Sequence, residues 1–390
     1  MNWNDKTAAN VKAIKPSGIR KFFDIAAQVK GVLSLSIGEP DFAAPDKVLA
    51  AMKASLDAKE TSYTGNSGMM ELREAISHHF EQRYGVHYDP KDEILVTVGV
   101  SEGLAMALLA ITEPGDEVII PDPAYVAYPA SVELAGGTPV FVPTYPEHDF
   151  KLTVEALEKV ITPKTKAIVI GYPNNPTGTV MSAEELMPIA KFAEEHDLIV
   201  LSDEIYCELM YGDAKFTSFA KLPGMRERTV IFNGFSKAYA MTGMRLGYVC
   251  APREGLAPIL KLHQYAIMCA NTTAQVGGIT ALKECDDDVE AMRQEYDRRR
   301  KVIYKGLCDM GLPVFEPKGA FYIFPDIRCT GMTSAEFCEK LVQEEKVAVV
   351  PGTAFGDQGE GFVRISYAAS MDTIQEALKR MARFVAKYSL

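Results

Sequence analysis

Seven short apolar runs rich in Val and Ile recur between residues 94 and 250, and helix-patterned segments separate most of them. The runs occupy residues 94–98, 117–120, 139–142, 167–170, 198–203, 229–232 and 246–250. Strands that are apolar on both faces and alternate with helices indicate a mainly parallel sheet covered on both sides. We therefore expect an α/β fold whose large domain, residues 48–285, holds a mainly parallel seven-stranded sheet between helices.

The pattern changes after the acidic triplet at residues 286–288. A long charged helical pattern follows, and then come short apolar segments and two further helical patterns. Because a chain of 390 residues is too long for one ordinary core, we expect a second, smaller α+β domain at residues 286–390. An N-terminal arm at residues 1–47 should complete it. The basic run RRRK at residues 298–301 is interpreted as the solvated face of the long helix.

Composition narrows the classes of function. The formal net charge of -11 argues against nucleic acid or an anionic membrane as a partner, since both require clustered Lys and Arg. The seven Cys residues include no C-x-x-C pair, and the six His residues form no ligand pattern, so we expect neither a metal site nor a disulfide framework. No segment has the length and apolarity of a signal peptide or a membrane span, which predicts a cytoplasmic protein.

Four loops that follow predicted strands carry residues suited to chemistry. In an open parallel sheet the ligand binds beyond the carboxyl ends of the strands, so these loops should meet at one edge. GVSEG at residues 99–103 opens a helix whose free amides favour an anion such as phosphate. The other three loops contribute Asn175, Asp203 with Tyr206, and Lys237. Each feature alone also has a plain interpretation as a helix cap or a turn.

Together these loops describe one site with a phosphate cradle, a carboxylate, a phenol, an amide and a lysine. A lysine there can form a Schiff base with an aldehyde cofactor, and a buried aspartate can keep a pyridine nitrogen protonated. Pyridoxal phosphate requires both a lysine for the Schiff base and a carboxylate for its ring nitrogen. Arg364 lies in the apolar segment FVRISY, where it needs an acidic partner in a structural ion pair or an anionic ligand, and its planar donors suit a carboxylate.

Nine motifs in order along almost the whole chain support a family resemblance. The sequence resembles the class I and II aminotransferases, which have the aspartate aminotransferase fold of pyridoxal-phosphate fold type I. The motifs are SLSIGEPDF, YTGNSGMMELREAI, VTVGVSEGL, YPNNPTG, LSDEIY, SK-x4-TG-x-RLGY, KGAFYIF, VVPGTAF and VRISYA.

The resemblance implies a role for each residue around the cofactor ring. Lys237 is then the Schiff-base lysine and the base that moves the proton between the amino acid carbon and the cofactor. Asp203 pairs with the pyridinium nitrogen. Tyr206 and Asn175 hydrogen-bond the ring hydroxyl, and Tyr125 stacks on the ring.

The resemblance also implies contacts to the cofactor phosphate and to the substrate. The phosphate contacts are Val100, Ser101, Glu102, Ser236 and Arg245. Tyr63 matches the tyrosine that reaches the phosphate of the partner subunit, which implies a homodimer. Arg364 binds the substrate α-carboxylate, with Gly38 and Asn175 completing that pocket. Ile19 belongs to an N-terminal segment that closes over the substrate.

Two positions depart from the family pattern. Ser101 stands where one subgroup has a lysine for a distal carboxylate, and Met244 stands where tryptophan is common. Because the spacing of no other cation assigns it to a distal acid, the donor stays open between aspartate-like, aromatic and broad-range amino acids. By resemblance the acceptor is a 2-oxo acid such as 2-oxoglutarate. A pyridoxal-phosphate carbon–sulfur β-lyase of the same fold and a cofactor-binding regulator without catalysis are the alternatives.

Overall fold

A computed structural model describes residues 1–14 and 29–389 of the chain. In chain order its strands are β1 (Leu33–Ser34), β2 (Ile94–Thr97), β3 (Glu117–Asp122), β4 (Thr138–Pro143), β5 (Thr165–Ile170), β6 (Ile199–Asp203), β7 (Thr229–Gly234), β8 (Gly247–Cys250), β9 (Tyr322–Ile323), β10 (Val347–Ala348), β11 (Val350–Pro351) and β12 (Val363–Ser366).

The longer helices are Asp46–Asp57, Met70–Tyr84, Gly99–Ile111, Ala127–Leu134, Ala183–Glu195, Arg253–Ala266, Thr272–Glu284, Asp286–Asp309, Ser334–Glu345 and Met371–Tyr388. Short α-helices span Trp3–Lys6, Ala9–Ala13 and Val154–Leu157. Single 3-10 turns span Pro146–His148, Phe219–Lys221, Arg226–Arg228, Thr242–Met244, Arg328–Thr330, Gly352–Phe355 and Asp357–Gly359.

The main sheet has seven strands in the spatial order β2-β8-β7-β6-β5-β3-β4. β8 runs antiparallel to both of its neighbours, and the other pairs are parallel. Each of the seven apolar runs forms one of these strands. The prediction of a mainly parallel seven-stranded sheet is therefore confirmed.

Burial explains why the apolar runs become strands. Every residue of β2, β7 and β8 is buried, because helices cover both faces of the sheet. The edge strand β4 is mostly half-buried, and its Phe141 is 45% exposed. Local signals set the helix boundaries: the helix Ala183–Glu195 begins with a capping box in which Ser182 and Glu185 bind each other's backbone amides.

The residues after 285 form smaller sheets. β11, β12 and β9 make a three-stranded antiparallel sheet, and β1 pairs in parallel with β10. The N-terminal segment thus joins the C-terminal part of the chain through backbone hydrogen bonds. The domain boundaries 1–47, 48–285 and 286–390 stay a prediction.

The interpretation of RRRK as a solvated face is wrong for its two middle residues. Arg299 and Arg300 are 5% and 3% exposed, and each forms ion pairs with carboxylates. Arg298 and Lys301 lie on the exposed side. Successive helical residues are turned by about 100°, so four in a row cannot all lie on one face.

Two general features concern the described residues alone. No helix in residues 1–14 and 29–389 is long and apolar enough to cross a membrane. The same part of the chain contains no group of three or more His, Cys, Asp or Glu side chains placed to hold a metal ion.

Candidate active site

A cavity of about 520 Å³ opens at the carboxyl ends of the parallel strands. Most of the residues singled out in the sequence line it: Gly38, Val100, Ser101, Tyr125, Asn175, Asp203, Tyr206, Ser236, Lys237, Arg245 and Arg364. These residues come from separate loops, from the start of the helix Gly99–Ile111, from the end of β6 and from β12. The fold therefore brings together the groups that sequence reasoning had placed in one site.

Lys237 follows β7 and lies in the cavity beside two aromatic rings and several charged side chains. Its Nζ donates a hydrogen bond to the carbonyl oxygen of Gly38 at 2.7 Å and lies 5.8 Å from the ring centres of Tyr206 and Phe321. Burial lowers the pKa of Lys237 to about 8, and the positive charge of Arg364 adds to the effect. A lysine with that pKa is partly neutral near physiological pH, so its nitrogen can act as a nucleophile or a base.

Asp203 ends β6 and is 8% exposed. One carboxylate oxygen accepts a hydrogen bond from the Tyr128 hydroxyl at 2.8 Å, and the other accepts one from the Ile205 amide at 3.2 Å. Burial raises the pKa of Asp203, although both hydrogen bonds and the charge of Lys237 oppose the rise. A buried carboxylate held mainly by neutral donors has the capacity to pair with a cationic ring nitrogen.

Tyr206 and Tyr322 form a buried pair of phenols. Their hydroxyl oxygens are 2.8 Å apart, and their rings meet edge to face. Burial holds the pKa of Tyr206 well above its usual value. Its hydroxyl therefore keeps its proton and can donate a hydrogen bond.

Arg364 lies in β12 and is 2% exposed. Its guanidinium donates to the Asn175 side-chain oxygen at 2.9 Å and to the Ser36 carbonyl at 2.7 Å, while its Nε has no hydrogen-bond partner within residues 1–14 and 29–389. No carboxylate of the described residues forms an ion pair with it. The guanidinium lies 4.5 Å from the ring centre of Tyr322, and burial lowers its pKa. Such a cation is prepared for an anionic ligand rather than for a structural ion pair.

The helix Gly99–Ile111 begins at the cavity with a backbone that only glycine readily adopts. Gly99 has a φ of +75°, and a Cβ on it would come within 2.6 Å of a guanidinium nitrogen of Arg245. Arg245 itself has a φ of +52° and donates to the Thr242 carbonyl at 3.0 Å. The free amides of the helix start and a nearby arginine form a place for an anion such as phosphate.

Comparison with known proteins identifies the family. The chain matches the family described as aminotransferase class I and II over residues 30–381. It is 50% identical to the aspartate aminotransferase of Pyrococcus abyssi over 379 residues, which cover 97% of both chains. It is 47% identical to aromatic-amino-acid aminotransferase 2 of Thermococcus litoralis over 382 residues, covering 97% of this chain and 98% of that one.

A solved structure agrees with these relatives. The crystal structure of an aromatic aminotransferase from Pyrococcus horikoshii superposes with a TM-score of 0.90 at 49% identity, covering 94% of this chain and 99% of that one. The chain belongs to the class I and II aminotransferases. The predicted family and fold are therefore confirmed, and the chain is an aminotransferase.

Two of the predicted site residues, Glu102 and Tyr63, do not line the cavity of this aminotransferase. The Glu102 side chain accepts hydrogen bonds from the Val98 amide at 2.6 Å and from buried His263 at 2.6 Å, so only its backbone amide remains available for a phosphate. Tyr63 is 80% exposed on the surface. Ile19 and the segment around it lie outside the described residues.

Sequence reasoning missed two tyrosines that hold the predicted residues in place. Tyr128 binds Asp203, and Tyr322 contacts both Tyr206 and Arg364. The segment DPAYVAYP contains both Tyr125 and Tyr128, but Tyr125 precedes the helix Ala127–Leu134, so helical spacing gave no signal that Tyr128 also reaches the site. For Tyr322 the aromatic segment AFYIF offered no sign of which ring faces the cavity.

Proposed function

We propose that this aminotransferase moves the amino group of an L-amino acid to a 2-oxo acid in two half-reactions, with pyridoxal 5'-phosphate as its cofactor. The donor is an aspartate-like or aromatic amino acid, or a broad range of donors, and the acceptor is 2-oxoglutarate. One observation carries the proposal. Arg364 is a buried cation with no carboxylate partner among the described residues, and it shares a cavity with Lys237 and Asp203.

The donor set of the cavity fits pyridoxal phosphate. Asp203 is a buried carboxylate that can pair with the ring nitrogen, and the helix start beside Arg245 can hold the phosphate. Lys237 would hold the aldehyde carbon, Tyr206 and Asn175 the ring hydroxyl, and Tyr125 a ring face. The phosphate would be held by Ser101, Ser236, Arg245 and the amides of Val100 and Glu102.

Substrate binding rests on the free donors of Arg364. An α-carboxylate placed against this guanidinium would receive charge-assisted hydrogen bonds and would neutralise a cation that burial destabilises. Asn175 and the Ser36 carbonyl orient the guanidinium from one side. Every amino acid donor shares the α-carboxylate, so this contact sets binding and orientation without selecting a side chain.

The proton transfers are assigned to Lys237. When bound, pyridoxal phosphate supplies an electron-withdrawing ring that stabilises negative charge at the donor's α-carbon. Lys237 Nζ takes the proton from that carbon and, in the second half-reaction, returns one to the α-carbon of the new amino acid. A pKa of about 8 suits a base that works near neutral pH. Asp203 keeps the ring nitrogen protonated through the opposite charge of its carboxylate.

The identity of the donor is supported by the names of relatives and by the cavity. The two relatives are named for aspartate and for aromatic amino acids. In this chain Tyr125 and Tyr322 line the cavity, and the cations that line it are Lys237, Arg245 and Arg364. With these three cations assigned to the cofactor and the α-carboxylate, the lining residues within 1–14 and 29–389 offer a distal acid no further cation, which favours aromatic or broad-range donors.

A homodimer is part of the proposal. Tyr63 is a large aromatic residue held at the surface, and a loop neighbour is fixed by a hydrogen bond from the Thr272 hydroxyl to the Ser62 carbonyl at 2.8 Å. In a dimer its hydroxyl would bind the phosphate of the partner subunit. Replacing Tyr63 by Phe should weaken cofactor retention while sedimentation still reports a dimer. Unchanged retention would remove Tyr63 from the site.

A donor series without acceptor tests the function. Purified holoenzyme mixed with alanine, aspartate or phenylalanine should stop after one turnover, with the cofactor spectrum changed and one equivalent of 2-oxo acid released. Added 2-oxoglutarate should restart turnover. Continued release of pyruvate and ammonia from a β-thio amino acid without any acceptor would favour the carbon–sulfur lyase instead.

Asp203→Asn tests the assigned charge. The variant keeps the shape of the side chain but cannot stabilise a protonated ring nitrogen. The half-reaction should slow far more than the half-saturating donor concentration rises, because the interaction matters most as charge develops in the ring. An unchanged rate would show that Asp203 only binds the Ile205 amide.

A further inference from the structure

Asp122, the last residue of β3, is a buried carboxylate outside the cavity lining. It is 5% exposed, and one of its oxygens accepts hydrogen bonds from the backbone amides of Asp357 and Gln358, at 3.1 and 3.4 Å. The other oxygen is buried and has no hydrogen-bond partner in the part of the chain that the structure describes. Two residues further along, the Ala124 amide donates to the Phe355 carbonyl at 2.9 Å.

Residues 352–358, here called the clamp loop, lie close against Asp122. Gly356 has a φ of +135°, and a Cβ on it would clash with the second carboxylate oxygen of Asp122. Glycine is therefore required by both the backbone conformation and the close approach. The loop is held to the end of β3 by three backbone donors or acceptors within four residues.

The end of β3 and the clamp loop each lie next to residues that line the cavity. Tyr125, which follows Ala124, lines it. Phe355 in the clamp loop is buried, and the Arg364 guanidinium lies 4.8 Å from its ring centre. Tyr125 belongs to the proposed cofactor contacts and Arg364 to the proposed carboxylate contact. Asp122 thus joins the segment that carries Tyr125 to the clamp loop, whose Phe355 packs on Arg364.

We propose that Asp122 is a positioning residue for the substrate carboxylate. By fixing the clamp loop on the end of β3, it keeps the Phe355 ring against Arg364 and sets the guanidinium at a defined distance from Tyr125. The inference rests on the proposed function, because it assigns the effect to the binding of an α-carboxylate by Arg364.

The free-energy cost of burying the Asp122 carboxylate supports its role as a positioning residue. Burial raises the pKa of Asp122 to about 6, and the nearby carboxylate of Asp357 adds to the rise, while the two amides oppose it. The fold therefore keeps at this place an acid whose charged form it disfavours. A side chain needed only to fill space would not carry that cost.

The test compares two ligands of the holoenzyme, followed through the absorbance of the cofactor. Alanine carries an α-carboxylate and methylamine does not. In Asp122→Ala the half-saturating concentration of alanine should rise about tenfold, because a loosened clamp loop no longer holds the Arg364 guanidinium in the position that binds the carboxylate. The half-saturating concentration of methylamine and the limiting rate of the half-reaction should both stay within about twofold of those of the unmodified protein. Asp122→Asn keeps an acceptor oxygen and should restore most of the alanine affinity.

A second variant leaves Asp122 in place. Phe355→Leu removes the ring beside Arg364 but keeps an apolar side chain of similar volume. It should raise the half-saturating concentration of alanine and leave that of methylamine unchanged. Asp116→Ala is the matched control, since Asp116 precedes β3 at its other end and pairs with Lys166. Asp116→Ala should change the half-saturating concentration of neither alanine nor methylamine.

The outcomes separate the inference from the function. If Arg364→Lys weakens alanine but Asp122→Ala and Phe355→Leu do not, the inference fails and the proposed function stands. If Asp122→Ala weakens alanine and methylamine equally, Asp122 is only structural. If Arg364→Lys leaves alanine binding unchanged, the assignment of the carboxylate to Arg364 fails, and the inference fails with it.

Discussion

Two regions of the molecule are rich in cations, some of them buried, and they differ in what surrounds these charges. Along the helix Asp286–Asp309 the cations are paired with carboxylates: Arg293 with Glu290, Arg298 with Glu295, Arg299 with Asp41 and Glu295, Arg300 with Asp297 and Glu316, Lys301 with Asp297, and Lys305 with Asp309. Burial lowers the pKa of Arg299, but these acids more than offset it, so that the pKa ends above its usual value.

In the cavity the hydrogen-bond acceptors of the cations are neutral. Lys237 donates to the Gly38 carbonyl, Arg245 to the Thr242 carbonyl, and Arg364 to Asn175 and the Ser36 carbonyl. Burial lowers the pKa of both Lys237 and Arg364. Neutral acceptors orient these side chains without neutralising them.

The difference separates structural cations from functional ones. A buried ion pair is complete by itself, and removing one partner leaves an uncompensated charge. A buried cation with neutral acceptors is incomplete until an anion arrives, so its cost is recovered only on binding. The cavity therefore holds positive charge for the anionic groups of the cofactor and the substrate.

The largest expected effect comes from the cation proposed to react. Lys237→Ala should lower the half-reaction rate by roughly 10²- to 10⁴-fold, because it deletes a positioned base. Lys301→Ala, which removes an exposed and paired lysine, should leave the rate unchanged. Borohydride reduction and peptide mass mapping of the unmodified protein should locate the cofactor on Lys237. An adduct on another lysine would contradict the assignment.

The next effect compares two buried arginines. Arg364→Lys keeps the charge but loses the planar pair of donors, and it should raise the half-saturating concentrations of alanine, aspartate and phenylalanine by a similar factor. Losing a bidentate charge-assisted contact corresponds to roughly thirty- to a thousandfold, part of which the lysine recovers. Arg299→Lys should leave all three values unchanged. A penalty confined to one donor would move Arg364 to the side-chain pocket.

For the free energy of unfolding, replacing a paired arginine of the long helix should cost more than replacing Arg364. Arg300→Met leaves the carboxylate of Glu316 without its arginine partner and that of Asp297 with Lys301 alone, and we expect the free energy of unfolding to fall by about 1–3 kcal/mol, since both acids are partly exposed. Arg364→Met removes an unpaired buried cation and should cost less. Urea unfolding of the two cofactor-free variants measures the difference. A larger loss for Arg364→Met would mean that Arg364 is a structural residue.

The smallest expected effect is a pH shift. Lys237 attacks an aldehyde only when its nitrogen is neutral, and its pKa is lowered to about 8, so capture of pyridoxal phosphate by cofactor-free protein should accelerate as the pH rises through about 8. Arg364→Met removes a nearby positive charge and should move this midpoint upward. Absorbance changes after mixing give the rate at each pH. A midpoint near the ordinary lysine value of 10.5 in the original protein would contradict the burial of Lys237.

Part of this comparison was visible in the sequence. Lys237 and Asp203 each follow an apolar run, and parallel strands bring such positions to one edge, so their meeting could be predicted. The pairing of Arg299 and Arg300 could not, because Asp41 lies 258 residues from Arg299 and the run RRRK carries no sign of which members face the core. The neutral acceptors of Arg364 also come from distant segments, at Ser36 and Asn175, which lie 328 and 189 residues away.

The sequence by itself determined the elements and the chemistry that follows each strand, because the periods of apolar residues and the turn residues are local properties of the chain. The tertiary structure alone decided which charges are neutralised and which stay unpaired. It placed Tyr128 on Asp203, Tyr322 beside Arg364 and the clamp loop on Asp122. Desolvation and charge pairing depend on the groups that surround a side chain in space, and those groups come from distant parts of the chain.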